Sequence, residues 1–293
     1  MHMRFAIIDV DDVMLETTKA SHVAEQAILG PLAQHLGPAN ADAVQREFAR
    51  AMATLTKQLR SPSATPSSAY QALRHRIATW QKGLTEAGFE IKEWSRHTLV
   101  ACALDACHLP VTAAVVQAVA DHYWETVAQH ATVFPDAVGL LEHLRAGGVA
   151  VHFATNSDGF LTFDETHQTF VYDPEAGIRQ KLARLLGLSA LGIDRRAISI
   201  GDPIGKPHPA FFRTVLRDFA AHLGREVDLR HTVAIGDSLT SDIRPLLDLG
   251  VAHGIWLLRE SSVSALQQRR SLPQVSVVST LGAQEVQSLF SCA

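Results

Sequence analysis

Three carboxylates stand close together near the amino terminus, at Asp9, Asp11 and Asp12. They follow Phe5-Ala6-Ile7-Ile8, a short apolar run typical of a strand that is buried on both faces. Like charges this close are costly unless a cation neutralises them, so the cluster indicates a site for a metal or for a cationic group of a substrate. The alternative is that Asp11 and Asp12 only cap the helix that follows the strand.

Other residues with useful chemistry follow further apolar runs in the second half of the chain. Strand patterns alternate there with helical patterns, which predicts a parallel sheet with helices on both faces. In such a sheet the carboxyl ends of the strands meet at one edge, and ligands bind at that edge. The residues are Thr155 and Asn156 after residues 149–154, Lys206 after residues 197–200, and Asp237 after residues 231–235.

The expected edge would therefore carry two neighbouring carboxylates, a hydroxyl, an amine and further acids from another strand. A carboxylate can act as a nucleophile, and a second acid can move the proton that a leaving oxygen needs. A hard divalent cation would be shared by the acids and a phosphate group. This is the equipment for phosphoryl transfer through an aspartyl-phosphate.

Between the first strand and residue 131 the sequence has helical periodicity and no convincing run of alternating strand residues. This pattern predicts an inserted all-α domain over residues 17–131, and an α/β core made of residues 1–16 and 132–293. Gly30-Pro31 should kink or split the first long helix. The fold class expected is therefore a Rossmann-like parallel sheet with an inserted helical domain.

In the segment from Asp158 to Pro174, polar residues alternate with the aromatic residues Phe160, Phe163, Phe170 and Tyr172. Its pattern is that of either a hairpin or an ordered loop. Because it leaves the sheet at the edge where the polar residues gather, it would either wall the pocket or pack on a second subunit.

Composition excludes several classes of function. The chain has 293 residues and a net charge of −4, without the basic field that follows a nucleic-acid backbone. No apolar stretch reaches membrane-spanning length, and the amino terminus runs directly into a strand, so we expect a cytoplasmic protein. The 3 cysteines are odd in number and form no C-x-x-C pair, which argues against disulfides or zinc. A small molecule is the expected partner, and both a monomer and a homodimer remain possible.

Four segments, in this order, resemble the motifs of the haloacid dehalogenase-like hydrolase superfamily. The helical tract between the first and second motifs resembles the cap domain that one branch of that superfamily inserts there. The four segments are Asp9-Val10-Asp11, Thr155-Asn156-Ser157, Gly205-Lys206-Pro207-His208-Pro209 and Gly236-Asp237-Ser238-Leu239-Thr240-Ser241-Asp242-Ile243.

The resemblance implies a role for each motif residue. Asp9 would attack phosphorus, and Asp11 would act as general acid and then as general base. Thr155, the backbone at Asn156 and Lys206 would bind the phosphoryl group, Lys206 also offsetting negative charge on the nucleophile. The implied cofactor is Mg²⁺, held by the carboxylates of Asp9 and Asp237 and by the backbone carbonyl of Asp11, while Asp242 would either bind the ion directly or orient a coordinated water.

The resemblance also implies a reaction type. Members that dehalogenate lack an acid at the position of Asp11, because halide leaves without a proton, so Asp11 favours a phosphate ester of a small metabolite. In the family the next two positions are often Gly and Thr, whereas this chain has Asp12 and Val13. The alternatives left open are a phosphomutase, and a weakly active relative that binds a phosphorylated ligand or a protein partner.

Overall fold

The computed structural model describes residues 3–60, 65–86, 95–159, 161–259 and 272–290. The chain divides into two compact units. The first consists of Met1–Thr18, Ala131–Asn156 and Leu185–Ala293, and the second of Lys19–His130 and Ser157–Arg184. The polypeptide therefore passes between the units at four places along its length.

A six-stranded parallel sheet forms the centre of the first unit, in the order β5-β2-β1-β6-β7-β8. This confirms the predicted fold class, with β1 between two parallel neighbours. In β1, Phe5 lies opposite Ala150 on one side and Thr232 on the other. The strands, with β3 and β4 in the second unit, are β1 Phe5–Ile8, β2 Ala150–Asn156, β3 Leu161–Asp164, β4 Thr169–Tyr172, β5 Ile198–Gly201, β6 Thr232–Gly236, β7 His253–Leu257 and β8 Val275–Val278.

Helices cover both faces of this sheet. In β1, Ala6 and Ile8 pack into one apolar cluster, and Phe5 and Ile7 pack into the cluster on the opposite face. Each fully buried side chain of this size contributes roughly 1.5–3 kcal/mol. The helices are α8 Pro135–Ala146, α10 Leu186–Ser189 and α13 Gln284–Phe290, together with α11 Pro209–Leu223 and α12 Arg244–Asp248.

Between Thr17 and His130 the described residues form helices joined by turns and short non-helical segments, without a strand, as predicted. The expected split at Gly30-Pro31 occurs, but α1 already ends at Ala27. The ring of a proline clashes with the carbonyl four residues earlier, which for Pro31 is that of Ala27. The helices are α1 Thr17–Ala27, α2 Leu29–Leu36, α3 Pro38–Arg60, α4 Ser68–Trp80, α5 Lys82–Glu86, α6 Arg96–Ala106 and α7 Ala113–His130, and α9 Pro174–Arg184 follows later in the chain.

The aromatic segment forms an antiparallel hairpin of β3 and β4 within the second unit. Phe163 and Phe170 lie opposite each other in the hairpin, with ring centroids 5.2 Å apart. Both rings contact Trp80 of α4, at 5.7 Å and 6.4 Å between centroids. Of the two alternatives for this segment the hairpin is confirmed, and its aromatic face belongs to the core of the helical unit. Phe160 lies outside the described residues.

A buried ion pair ties the start of this segment to α6. Arg96 Nη1 donates to Asp158 Oδ1 at 2.8 Å, and the backbone N–H of Arg96 donates to Asp158 Oδ2 at 2.7 Å. The guanidinium also stacks over the rings of Tyr123 and Trp124. Asp158 is therefore fixed to the helical unit two residues after Asn156.

Over the described part of the chain, no helix combines the length and the apolar character needed to cross a bilayer.

Candidate active site

Asp9 lies directly beyond β1, at the carboxyl edge of the sheet. Its backbone N–H donates to the carbonyl of Ile235 at 2.9 Å, which extends the ladder between β1 and β6 by one residue. The Asp9 carboxylate accepts a hydrogen bond from Lys206 Nζ, and the same ammonium donates to Asp242 Oδ1 at 2.6 Å. All three side chains are less than a tenth exposed. One buried ammonium therefore lies between two buried carboxylates.

The positive charge of Lys206 does not balance this cluster. Burial raises the pKa of Asp9 to about 7, and the carboxylates of Asp242 and Asp11 add to the rise while Lys206 opposes it. Burial by itself lowers the pKa of Lys206, but Asp242 and Asp9 outweigh it and raise that pKa above its usual range. The site thus holds a protonated amine and has an excess of negative charge.

Asn156 fixes the loop that carries Lys206. Its side-chain Oδ1 accepts the backbone N–H of Lys206 at 2.8 Å, and its Nδ2 donates to the carbonyl of Lys206 at 3.3 Å. Gly201 allows this close approach, because a Cβ there would lie 2.6 Å from the Cα of Gly205 and 2.9 Å from Asn156 Oδ1. The amide of Asn156 is thus a loop anchor, a contact that the sequence did not suggest.

Two hydroxyl groups hold the carboxylate of Asp11. Thr155 Oγ1 donates to Asp11 Oδ2 at 3.1 Å, and Thr17 Oγ1 donates to Asp11 Oδ1 at 2.9 Å. Thr155 was a sequence candidate and Thr17 was not. The available signal was weak, a threonine at the first position of the helix six residues after Asp11. The two hydroxyls orient Asp11 from opposite oxygens.

Asp237 and Asp242 come from the end of β6 and the turn that follows it. Asp242 lies in a single π-helical turn over Leu239–Ile243, and the backbone N–H of Ser238 donates to its Oδ2 at 2.9 Å. A Cβ on Gly236 would lie 2.3 Å from the Cβ of Asp242, so only glycine leaves room for this turn. Asp237 retains solvent exposure, yet the surrounding protein and the carboxylates of Asp242 and Asp9 raise its pKa.

These carboxylates fit a hard divalent cation. Asp9, Asp237 and Asp242 each offer an oxygen, and the three atoms all lie within 4.8 Å of one another. Mg²⁺ prefers oxygen ligands, usually one or two carboxylates together with water and phosphate oxygens. The donor set therefore suits Mg²⁺. The side chain of Asp11 is engaged by the two threonines, which is compatible with an implied contribution through its backbone carbonyl only.

Asp12 has a different use. Its Oδ1 accepts the backbone N–H of Thr18 at 2.7 Å and its Oδ2 accepts the hydroxyl of Thr18 at 2.5 Å, at the start of α1. Its φ is 59°, a left-handed conformation that aspartate tolerates better than most residues other than glycine. The side chain of Asp12 therefore caps α1, whereas the side chain of Asp11 accepts hydrogen bonds from Thr155 and Thr17.

The structure therefore brings Asp9, Lys206, Asp237 and Asp242 into one cluster. Asp11 and Thr155 lie beside it, hydrogen-bonded to each other. Asn156 reaches the cluster through the backbone of Lys206. Every sequence candidate thus lies at the carboxyl edge of the sheet, and the residue roles remain predictions.

Three solved structures resemble the chain along nearly its whole length. The HAD-hydrolase YfnB from Bacillus subtilis, bound to magnesium, has a TM-score of 0.52 at 17% identity, with 100% of each chain covered. A haloacid dehalogenase-like family hydrolase from Xanthomonas campestris has a TM-score of 0.51 at 18% identity, covering 98% of this chain and 96% of that one. The 2-haloacid dehalogenase from Pseudomonas syringae pv. Tomato has a TM-score of 0.51 at 19% identity, covering 99% and 100%. At such identities the likeness shows the fold alone.

Sequence comparisons give the family. No curated protein matches the chain. The family model described as haloacid dehalogenase-like hydrolase matches residues 3–250, which include all four motifs. The protein therefore belongs to the haloacid dehalogenase-like hydrolase family.

Proposed function

We propose that this hydrolase is a Mg²⁺-dependent phosphatase that hydrolyses a small phosphorylated metabolite through an aspartyl-phosphate on Asp9. The observation that carries the proposal is the second acid, Asp11, which two hydroxyl donors orient beside the cluster of Asp9 and Lys206. An ester oxygen needs a proton to leave, and a halide does not. An oriented acid at this position therefore favours a phosphate ester as substrate.

In the first half of the reaction, a carboxylate oxygen of Asp9 attacks phosphorus and the bond from phosphorus to the ester oxygen breaks. Asp11 gives its proton to the departing oxygen, so the product leaves as a neutral alcohol. Lys206 stays protonated and offsets charge on the phosphoryl oxygens, and the backbone at Asn156 donates a hydrogen bond to them. The single hydroxyl hydrogen of Thr155 bonds to Asp11 before substrate binds, and it would turn to a phosphoryl oxygen while Asp11 carries its proton and Thr17 holds it.

In the second half, the carboxylate of Asp11 takes a proton from water. The resulting hydroxide attacks phosphorus, the bond to the Asp9 oxygen breaks, and inorganic phosphate leaves. Asp9 returns as a carboxylate and Asp11 returns in its protonated form, so both groups are restored.

Asp9, Asp237 and Asp242 would hold Mg²⁺, with the backbone carbonyl of Asp11 as a further ligand. When bound, the ion supplies positive charge that this carboxylate-rich site lacks and that a phosphoryl group adds to. The magnesium in the structure of YfnB supports this assignment. The oligomeric state, monomer or homodimer, does not enter the chemistry.

The test is phosphate release from a panel of alkyl and aryl phosphate esters, with Mg²⁺ and with a chelator. We expect release that needs the metal and falls at least about 10³-fold in Asp9→Asn, because the nucleophile is lost. Asp12→Asn is the matched control, since it alters a neighbouring carboxylate that caps α1, and it should stay within about twofold of wild type.

Asp11→Asn separates the two leaving groups. An aryl oxygen leaves with little help, whereas an alkyl oxygen needs the proton, so Asp11→Asn should slow alkyl esters more. Halide release from a 2-haloacid, without phosphate release from any ester, would contradict the proposal. Turnover that requires a bisphosphate activator and frees little phosphate would identify a phosphomutase, and phosphate binding without turnover would identify a binding protein.

A further inference from the structure

Arg259 lies two residues beyond β7, at the same carboxyl edge of the sheet as the four motifs. No motif includes it. Its Nε donates to the backbone carbonyl of Asp12 at 3.3 Å and its Nη2 donates to the backbone carbonyl of Val13 at 3.0 Å. One guanidinium therefore holds two consecutive carbonyls of the turn that begins with Asp11.

The guanidinium is itself held in place. Asp136 accepts from Nη1 at 3.0 Å and from Nη2 at 3.1 Å, a forked arrangement that arginine alone among the basic residues can make. Asp136 Oδ2 also accepts the Thr280 hydroxyl at 2.7 Å and the Leu281 N–H at 2.9 Å. The centre of the guanidinium lies 3.6 Å from the ring centroid of Phe134. Arg259 thus has little freedom to move.

The turn needs such a support for reasons visible in its own residues. Asp12 adopts a left-handed conformation that glycine would adopt without strain. Val13 has no hydroxyl to hydrogen-bond within the loop. The turn is otherwise closed by backbone bonds, from the N–H of Met14 and Leu15 to the Val10 carbonyl at 2.9 Å and 3.0 Å. A strained backbone persists only where its surroundings fix it.

We propose that Arg259 is a positioning residue for Asp11, which fixes the turn from Asp11 to Val13 through two backbone carbonyls and so keeps the general acid in line with the leaving oxygen. The inference rests on the proposed phosphatase function. Arg259 touches no reacting atom, so its loss should affect proton delivery more than substrate binding. A misplacement of about 1 Å can cost about 10²-fold in rate.

The decisive variant is Arg259→Met, compared with Arg195→Met. Arg195 Nη1 also donates to a backbone carbonyl, that of Ile198, at 2.6 Å in the same unit, but at the amino end of β5. For alkyl esters we expect the kcat of Arg259→Met to fall about 10²-fold, while KM stays within about twofold of wild type. For aryl esters we expect kcat to fall about tenfold or less. Arg195→Met should leave both kcat and KM unchanged for both classes of ester. The kcat of Arg259→Lys for alkyl esters should also stay below that of wild type, because an ammonium group cannot make the forked hydrogen bonds of a guanidinium.

Amide hydrogen exchange provides a readout that is independent of turnover. The N–H groups of Met14 and Leu15 should exchange at least about tenfold faster in Arg259→Met than in wild type or Arg195→Met. If Arg259→Met does not fold, Arg259→Lys and Asp136→Asn carry the same two measurements. Unchanged exchange in the turn, or an equal loss of kcat for alkyl and aryl esters, would overturn the inference. A wild type that hydrolyses neither ester would instead overturn the proposed function, and the exchange data would then decide whether Arg259 fixes the turn.

Discussion

Both units of the molecule contain a cluster of buried charged side chains, and the two clusters differ in how their charges are neutralised. In the first unit, Asp9 and Asp242 share the ammonium of Lys206, and the carboxylate of Asp237 lies beside them. In the helical unit, Arg96 is matched by one carboxylate, Asp158, in a two-point contact.

Aromatic rings complete the second cluster. Arg96 Cζ lies 4.7 Å from the Trp124 ring centroid and 4.9 Å from that of Tyr123, and Tyr123 Oη accepts from Arg96 at 3.2 Å. Arg184 Cζ lies 3.8 Å from the centroid of the same Trp124 ring. Cations over aromatic faces gain stabilisation without a counter-charge. The helical cluster therefore places its cations against one carboxylate and two aromatic rings, whereas the carboxylate cluster has an excess of negative charge that protons, or the proposed metal, would offset.

Breaking the helical cluster should have the largest effect on stability. Arg96→Met leaves Asp158 buried without its partner, and we expect the free energy of unfolding to fall by about 3–5 kcal/mol. Lys206→Met should cost less in the presence of a chelator, because the carboxylates around it can take up protons instead. Urea unfolding at pH 7 measures both. The double variant Arg96→Met/Asp158→Leu should recover much of the loss, and a fall below about 1 kcal/mol in Arg96→Met would contradict the comparison.

The two units should also respond to pH with opposite slopes. The pKa of Asp9 rises from 3.8 to about 7, so the folded state binds more protons in this range and metal-free stability should fall as pH rises through it. Burial lowers the pKa of His97, in the helical unit, from 6.5 to about 3, so stability should fall as pH drops through that range. Each slope is at most about 1.4 kcal/mol per pH unit.

The measurement is urea unfolding from pH 4 to pH 7 with a chelator. Asp9→Asn should reduce the loss of stability towards neutral pH, to which the raised pKa of Asp237 also contributes, and His97→Gln should reduce the loss towards acid. Saturating Mg²⁺ should remove the first slope and leave the second. A wild-type curve that either variant leaves unaltered would refute the corresponding assignment.

Adding one methyl group should have opposite results at two glycines of the first unit. Gly236→Ala would place a Cβ 2.3 Å from the Cβ of Asp242 and displace this carboxylate, so activity should fall about 10²-fold and Mg²⁺ affinity should fall with it. Gly139→Ala, in the interior of α8, meets no atom outside its own helix backbone within 4 Å and should stabilise the protein by about 0.5–1 kcal/mol. Mg²⁺ titration and thermal unfolding of both variants test the pair, and equal Mg²⁺ affinity in Gly236→Ala would contradict it.

The smallest effect is expected at Asp12. Asparagine caps helices as well as aspartate does and also tolerates the left-handed conformation. Asp12→Asn should therefore change the free energy of unfolding by less than about 0.5 kcal/mol. Thermal unfolding checks this value, and a larger loss would show that the charge of Asp12 matters to the carboxylate cluster.

Local sequence patterns predicted the parts of the structure that depend on short-range rules. Apolar runs ending in polar residues located Asp9, Thr155 and Asp237 at strand ends, because the carboxyl ends of parallel strands share one edge. The steric rule for proline predicted the split near Gly30-Pro31 and explains its position at Ala27.

Contacts between distant residues were not predictable in this way. The hairpin joins the helical unit because Phe163 and Phe170 meet Trp80, more than eighty residues away in sequence. Arg259 reaches the turn after Asp11 from the end of β7, which β6 separates from β1 in the sheet, and no local pattern marks either residue as a partner of the other. Thr17 is a similar case on a shorter scale.

The four passages of the chain between the units also limit how this protein can exchange parts with its relatives. The helical unit is not one continuous insert, because Ser157–Arg184 contributes to it as well as Lys19–His130. Recombination that replaced only the longer segment would separate Phe163 and Phe170 from Trp80, and Asp158 from Arg96. A new helical unit would therefore have to arrive as two matched pieces, so substitution within the unit should be tolerated more readily than transplantation of it.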